Sequence, residues 1–561
     1  MQARAWRLWP ALCLALVACA TAWVQVRSYD VWWHIEAGEW ILGHRAVPRV
    51  DDFSFTSEGV AWIDHEWLSQ IVLYVAHAWG GVTGLIMVKA ACALVVALSG
   101  FVHLRRCGAR APAAVIVVCA ALAGMRFRLT ERPDAISLAM AAAVAALVFD
   151  PIGRPSDAAR RLALPAIITA VWANLHAGAL IAPAIAVCAA LGALLEPARD
   201  ASSSGRLGRP EVRYAFAAVA LCGLALLLNP YGAKIWAVPA QISGALDPTN
   251  LLNPEWQAPS WRQFPMFFMA VILLALLAMR SVLRKESGAT GRVLLVILTG
   301  GLAMTSARHI GIFFALLPVM VAPGILRGSG ERWAGAAAGT FALVTAGLMV
   351  VFPPAGARSG PGLMEGRFPV GAAAFVESHL PDARMYNDVA FGGYLIWRGY
   401  PQRRVFIDGR NEVHAALLRE LSEALDDGRR WETLLAKYGV DAAMVSYRPE
   451  PVAVRKAGDD ALSLSTFSEL HFPRPAWALV YWDDVAMVFV RRDGAGSELA
   501  ARYEYRWVRP EAWRQKTPTV GLEGMGPESA AEVERRLAED PECRLAKTLA
   551  RVYREGGRQG R

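Results

Sequence analysis

Ser28-Tyr29-Asp30-Val31-Trp32-Trp33-His34-Ile35-Glu36-Ala37-Gly38-Glu39-Trp40-Ile41-Leu42 follows directly on an apolar run, Leu8–Val26, long enough for one bilayer crossing. From Val31 on, Trp32, Ile35, Glu39 and Leu42 share one helical face, and Trp33, Ala37 and Trp40 share its neighbour. That spacing predicts an amphipathic helix with interfacial indoles, lying on a membrane surface. Asp30 then stands where the first span leaves the bilayer. Beyond it come Pro48-Arg49-Val50-Asp51-Asp52-Phe53-Ser54-Phe55-Thr56, a turn at Ser57-Glu58-Gly59, and Trp62-Ile63-Asp64-His65-Glu66-Trp67-Leu68. A second amphipathic segment, Trp67–Trp79, leads into the next apolar run.

The rest of the chain agrees with a membrane setting. Of 561 residues, 55% are hydrophobic and 19% charged, with a mean hydropathy of +0.31. Almost all the depletion of charge lies before Pro354, in runs of Ala, Leu and Val, and the remainder reads as ordinary globular sequence. Disordered, fibrous and purely soluble classes are excluded. The net charge of +9 does not imply nucleic acid, because only seven of the 58 basic residues are Lys and many Arg sit in short loops between apolar runs. The eight Cys form no CxxC pair, which excludes a zinc ribbon and a disulfide framework.

Five clean apolar runs (Leu8–Val26, Leu85–Leu104, Tyr214–Leu228, Pro265–Met279, Trp333–Phe352) accompany three longer ones broken by polar residues: Pro112–Phe149, Leu162–Leu195 and Val293–Leu326. Basic clusters flank each long run at both ends, so each goes out and returns as a hairpin. This gives about 11 spans, a cytoplasmic N-terminus and an extracytoplasmic C-terminal domain. The inner loops hold twice the Lys and Arg of the outer ones, and every cluster of His, acid and aromatic residues falls outside. Leu16-Val17-Ala18-Cys19 imitates a lipoprotein cleavage site, but the apolar run continues past Cys19 and a polytopic body follows.

The order of span, Asp30-Val31-Trp32-Trp33-His34, two interfacial helices and many further spans resembles the GT-C superfamily of membrane glycosyltransferases. The likeness is closest to the first outer loop of the oligosaccharyltransferase and protein-mannosyltransferase branches. The resemblance implies a polyprenyl-phosphate-linked sugar donor. It also implies that Asp30 activates the acceptor or holds a divalent metal such as Mg or Mn, with Asp51/Asp52 or Asp64/Glu66 as a second acidic position. The chain departs from the family in Val31 after the acid, and in lacking a Trp-Trp-Asp-Tyr-Gly signature; Tyr386-Asn387-Asp388 is a distant echo.

The residues themselves support that chemistry. Transfer from a lipid phosphate needs a carboxylate to deprotonate the acceptor and cations on the departing phosphate. Asp30, His65 and Glu66 are the candidate catalytic groups, with the alternatives that Asp30 caps the following helix and that His65-Glu66 is a polar helix start. Position 69 is Ser, so the zinc-protease pattern HExxH is incomplete. Arg126, Arg128 and Arg132 on one outer tip run against the inside-positive bias, and Arg308 and His309 occupy another. They are read as a phosphate clamp or as salt-bridge partners of Glu131 and Asp134. Lys89 joins the clamp or snorkels. His176 is a substrate-binding candidate at membrane depth, whereas Asn174 suits interhelical hydrogen bonding.

Three domains are expected: a polytopic domain over 1–354, an extracytoplasmic α/β domain over 355–495, and a helical tail over 496–561. In the second, helices are expected at Val370–His379, Ala415–Leu425 and Trp431–Tyr438. Strands are expected at Arg404–Ile407, Ala442–Ser446, Trp477–Trp482 and Val485–Arg491. Asp408-Gly409-Arg410-Asn411-Glu412 either holds substrate or closes a turn as a salt bridge. The tail pair Ser529–Leu537 and Cys543–Arg554 resembles one tetratricopeptide unit, which must pack on the domain or on an envelope-protein partner. The leading function is sugar or glycan transfer at the outer face of a bacterial-type inner membrane. A transporter or flippase and a non-catalytic scaffold are the alternatives. A transferase needs its acids and basic tips around one cavity; a transporter needs ionisable groups along a path through the bundle.

Overall fold

The computed structural model describes residues 2–150, 158–196, 209–245, 255–321, 334–425, 427–448, 450, 452–455, 462–493, 496–514 and 526–559. The inner-loop residues Arg154, Arg199, Arg206, Arg327 and Arg332, the start of the last apolar run at Trp333, and the Asn253-Pro254 turn lie outside the described residues.

The chain forms two units, one of Met1–Arg49 with Ile63–Met364 and one of Val50–Trp62 with Glu365–Arg561. The boundary expected at Pro354 falls about ten residues later, and the tail belongs to the same unit as the α/β domain. The middle of the first outer loop, Val50–Trp62, is also part of that second unit.

The first unit is helical. It begins with α1 (Gln2–Ala22), α2 (Val31–His44) and α3 (Trp67–Arg106). Next come α4 (Ala111–Met125), α5 (Pro133–Val148), α6 (Ala158–Leu175), α7 (Ile181–Leu195), α8 (Pro210–Ala225) and α9 (Val238–Ala245). After them come α10 (Pro265–Leu283), α11 (Ala289–Thr305), α12 (Ile310–Ala315), α13 (Leu317–Met320) and α14 (Ala334–Val351). Among the described residues, five helices are long and apolar enough to cross a membrane, at Trp67–Arg106, Ala111–Arg128, Ala177–Leu195, Pro265–Leu283 and Ala334–Val351. Shorter apolar helices cover Leu8–Ala22, Pro133–Val148, Leu162–Leu175 and Ala289–Thr305. The core between them is built of small and branched side chains, among them Val96, Ala97, Val115, Val118, Leu122, Ala141 and Val144.

Two expectations change at the first loop. The helix of the first span stops at Ala22, and Val24 and Val26 instead pair with Ser359 and Leu363 as isolated β-bridges. The α2 helix does not rest on a surface by one face: Val31, Trp32, Ile35, Ala37 and Ile41 are all buried, as are His34 and Glu36. It packs against α3, whose Gly81 (φ 54°) breaks the helix between the expected segment Trp67–Trp79 and the expected span Leu85–Leu104. The close approach depends on Gly38. A Cβ there would lie 2.3 Å from the Gln70 carbonyl oxygen and 2.8 Å from Tyr74 Cβ. Gly38→Ala is therefore expected to destabilise the purified protein by ~1–3 kcal/mol, the usual scale of overpacking. An unchanged thermal midpoint in detergent would show that α2 shifts freely on α3.

The second unit is α/β. Strands β1 (Met385–Asn387), β2 (Ala442–Ser446), β5 (Trp477–Trp482) and β6 (Ala486–Arg491) form a sheet of order β1-β2-β6-β5. Here β1 and β2 are parallel and the other pairs antiparallel. Strands β3 (Val452–Arg455) and β4 (Leu462–Ser465) make a separate antiparallel pair. Helices α15 (Val370–His379), α16 (Val389–Gly399), α17 (Ala415–Ala424), α18 (Gly428–Lys437), α19 (Phe467–His471) and α20 (Ser497–Tyr503) complete it. The expected strands Trp477–Trp482 and Val485–Arg491 pair as the hairpin β5–β6. Arg404–Ile407 is not a ladder strand; Val405 makes one parallel bridge to Ser54. The tail helices α21 (Pro527–Glu539) and α22 (Arg544–Gln559) contribute Val533, Leu545, Ala546 and Leu549 to the same core as Trp431, Trp477 and Trp482. Of the two packings expected for this helix pair, the one on the domain is therefore observed.

Candidate functional site

Turns at several helix ends of the first unit meet in one polar cluster. The first is the exit from α1, where Asp30 Oδ2 lies 2.9 Å from Arg132 Nη2. Arg132 precedes Pro133, which starts α5 with a fixed φ, and Asp134 follows in its first turn, where the helix dipole favours an acid. Arg132 Nε donates to Ser28 Oγ at 2.8 Å and its Nη1 lies 3.5 Å from Glu255 Oε2. Arg128 carries two acids, Asp134 at 2.5 Å on Nη2 and Glu255 at 2.7 Å on Nη1. On the tip between α11 and α12, Arg308 lies 3.8 Å from Asp134 and 4.1 Å above the Trp256 ring.

His176, at the turn between α6 and α7, joins this group to the first loop. Its Nε2 is 3.3 Å from Glu66 Oε1 and 3.4 Å from Asp134 Oδ1. Glu66 also faces His65 at 3.7 Å and His34 at 3.8 Å. One network therefore runs from Asp30 through Arg132, Glu255, Arg128, Asp134 and His176 to Glu66.

Its electrostatics follow from burial against pairing. Burial pushes His176 down to about 4, more strongly than Asp134 pulls it up, so its ring is neutral at pH 7. His34 is likewise held well below the usual range, first by burial and then by Arg132 and the neighbouring histidines. Burial also works against the charge of Arg132, but Asp30, Glu255, Asp134 and Glu66 outweigh it and fix the guanidinium in its charged form. Asp64 is raised to about 7 by burial; its Oδ1 accepts from Gln70 Nε2 at 2.6 Å while Oδ2 has no hydrogen bond among the described residues.

The carboxylate and imidazoles of His65, Glu66 and His176 lie within 4.8 Å of one another, near enough to hold a metal ion. The hydrogen bonds decide which atoms are open to it. His65 Nδ1 faces the Ile63 carbonyl oxygen at 3.2 Å and so carries its proton, leaving Nε2 a lone pair. His176 Nδ1 accepts from the Gly178 amide at 2.8 Å, so its neutral ring presents Nε2–H towards Glu66 and Asp134. The set fits a cation through His65 and Glu66, and through His176 only if that ring exchanges its proton. Asp30, expected as the metal ligand, is on Arg132 instead.

Other expected residues lie elsewhere. Lys89 is no part of the basic group: its buried ammonium pairs with Glu131 and donates to the Val24 carbonyl oxygen at 3.1 Å. Glu131 Oε2 in turn accepts from the Arg27 and Ser28 amides, both at 3.2 Å, which fixes the exit from α1. Arg126 donates to the carbonyl oxygens of Phe352 and Met349 at the end of α14. His309 Nδ1 faces the Leu302 carbonyl oxygen at 3.1 Å. Asn174 makes the expected interhelical bonds, accepting from Trp67 Nε1 at 3.1 Å and donating to the Leu228 carbonyl oxygen at 2.7 Å. Asp51 belongs to the second unit, where it pairs with Arg410, so it supplies no acid to this cluster. Ser137, one turn after Asp134 and 2.8 Å from His176 Nδ1, was missed by sequence reasoning; its place on the same helix face was the available signal.

The chain shares its fold with solved multi-pass membrane glycosyltransferases of the GT-C type. Archaeal oligosaccharyltransferase AglB from Archaeoglobus fulgidus, solved with an inhibitory peptide and a dolichol-phosphate, superposes with a TM-score of 0.57 at 11% identity, covering 78% of this chain and 69% of that one. ArnT from Cupriavidus metallidurans in the apo state gives 0.51 at 13% identity over 89% and 99%, and its undecaprenyl phosphate complex gives 0.50 at 13% over 88% and 98%. No family model and no curated protein matches the sequence.

Proposed function

We propose that this protein is a membrane glycosyltransferase that moves a sugar or glycan from a polyprenyl-phosphate-linked donor to an acceptor at the extracytoplasmic face. The observation that carries the reading is the single network linking Asp30, Arg132, Arg128, Asp134, His176 and Glu66 at one cluster of helix ends in a GT-C fold. Ionisable groups gathered at turns suit a reaction site better than a path through the bundle. The neighbouring structures that contain dolichol-phosphate and undecaprenyl phosphate support a lipid-phosphate donor. About 11 spans, a cytoplasmic N-terminus and an extracytoplasmic second unit in a bacterial-type inner membrane complete the reading, on the strength of the loop charges.

In this mechanism Arg128, Arg132 and Arg308 receive the donor phosphate, whose oxygens suit guanidinium forks. As Arg132 turns to the phosphate, Asp30 loses its counter-ion and gains basicity, so it takes the acceptor's proton when the new glycosidic bond forms. His176 holds its Nε2–H between Glu66 and Asp134, keeping both carboxylates in place. A divalent cation bound at His65 and Glu66 would add positive charge near the departing phosphate.

The direct test is an extracted-lipid assay: polyprenyl-linked sugar should disappear from membranes that contain the protein and persist in membranes without it. Arg308→Gln should raise KM for the donor by roughly tenfold to a hundredfold, the value of one lost charge-assisted contact of ~1.5–3 kcal/mol. A collapse of membrane yield would instead make Arg308 structural.

A further inference from the structure

Glu255 differs from the other acids of the cluster in place and exposure. Asp134 is fixed in the first turn of α5 and Asp30 at the exit from α1, whereas Glu255 sits in the connection before α10 with its side chain 41% exposed. Its Oε2 nevertheless lies between two guanidiniums, 2.7 Å from Arg128 Nη1 and 3.5 Å from Arg132 Nη1. Its backbone oxygen accepts from the Arg308 amide at 3.0 Å and from Ser306 Oγ at 2.8 Å, tying it to the second basic tip. An anionic oxygen shared by two guanidiniums is the arrangement a phosphate oxygen takes.

We propose that Glu255 occupies the seat of the donor phosphate and returns to it after transfer, so that it sets the rate at which the lipid phosphate product leaves. The inference rests on the phosphate-clamp reading above. The charge change gives its reason. During transfer the bond between the sugar's anomeric carbon and the phosphate oxygen breaks, with the electron pair left on that oxygen. The acceptor heteroatom bonds to the anomeric carbon and its proton passes to Asp30. A phosphodiester donor with one negative charge thus becomes a monoester carrying ~1.5–2 near neutral pH. Three arginines would then hold product more tightly than substrate, and turnover would stall. A carboxylate on the same chain, at high effective concentration beside the seat, competes with the product and releases it.

The experiment measures binding of a polyprenyl monophosphate, and of the polyprenol lacking phosphate, to the full chain in nanodiscs. Glu255→Gln keeps the side-chain size and removes the competing charge. It should bind the monophosphate about tenfold or more tightly than the wild type, with no change for the polyprenol. Glu255→Ala should shift affinity in the same direction, and both variants should lower kcat and KM together in the lipid-linked sugar assay. If the wild type prefers the monophosphate to the polyprenol but Glu255→Gln binds it equally or more weakly, Glu255 is not in the phosphate seat. If wild type and Arg308→Gln bind both lipids alike, the clamp fails and this proposal fails with it.

Discussion

Asp30→Asn should lower glycosyl transfer by about 100-fold or more, the scale for losing a positioned base. The exchange keeps the shape of the side chain and removes the charge that faces Arg132 at 2.9 Å. Folding should barely change, because Asp30 is only partly buried and Arg132 keeps Ser28 and Glu255 as partners. Side-by-side kcat measurement and detergent thermal unfolding separate the two effects. Asp51→Asn is the informative control. Asp51 lies within the second unit on Arg410, so its loss should reduce stability and leave the chemistry per folded molecule near normal. Near-normal turnover in Asp30→Asn would remove the base from the mechanism and favour the transporter or scaffold reading.

Arg410→Leu should destabilise the second unit by ~3–5 kcal/mol, the cost of breaking a buried ion pair from one side. Arg410 is wholly buried, with Nη2 2.7 Å from Asp51 and 2.5 Å from Asp408. Its guanidinium also lies 5.0 Å from the Phe53 ring centroid and 4.7 Å from that of Trp62. Leucine would leave Asp51 without its cation and Asp408 with His414 alone in a dry interior, and would loosen Val50–Trp62 on the rest of its unit. Limited proteolysis should then cut within 50–62 at protease levels that spare the wild type. Equal resistance would mean that the backbone bonds between Phe53, Phe55 and Val405 suffice.

Much of the candidate site was legible because its residues sit in an unusual place for their type. Arg128, Arg132 and Arg308 stood out against the inside-positive bias, and His176 against an apolar run; all four lie in the network. Lys89 and Arg126 carried the same signal and proved misleading. A buried ammonium needs a carboxylate, and Glu131 answers it; a guanidinium near a helix end can be spent on free carbonyl oxygens, as Arg126 is on Met349 and Phe352. Nothing in local spacing separates these fates from phosphate binding, since the deciding partner lies more than 40 residues away in each case. The place of Glu255 beside two arginines was not legible, because it depends on tip-to-tip contacts between distant turns.

By itself, the sequence determined the helical runs, the acid-bearing first outer loop and the α/β character of the C-terminal portion. Those follow from periodicity and from the cost of burying unpaired backbone groups, both of which act over a few residues. Only the tertiary structure decided which charges are consumed by one another and which are shared at the cluster. It alone assigned Val50–Trp62 to the second unit through Asp51 and Arg410, and set the tautomer of His176 through the Gly178 amide. An ion pair or a hydrogen bond is decided by separation in space over a few ångströms, and residues far apart in the chain reach that separation only once the helices have packed.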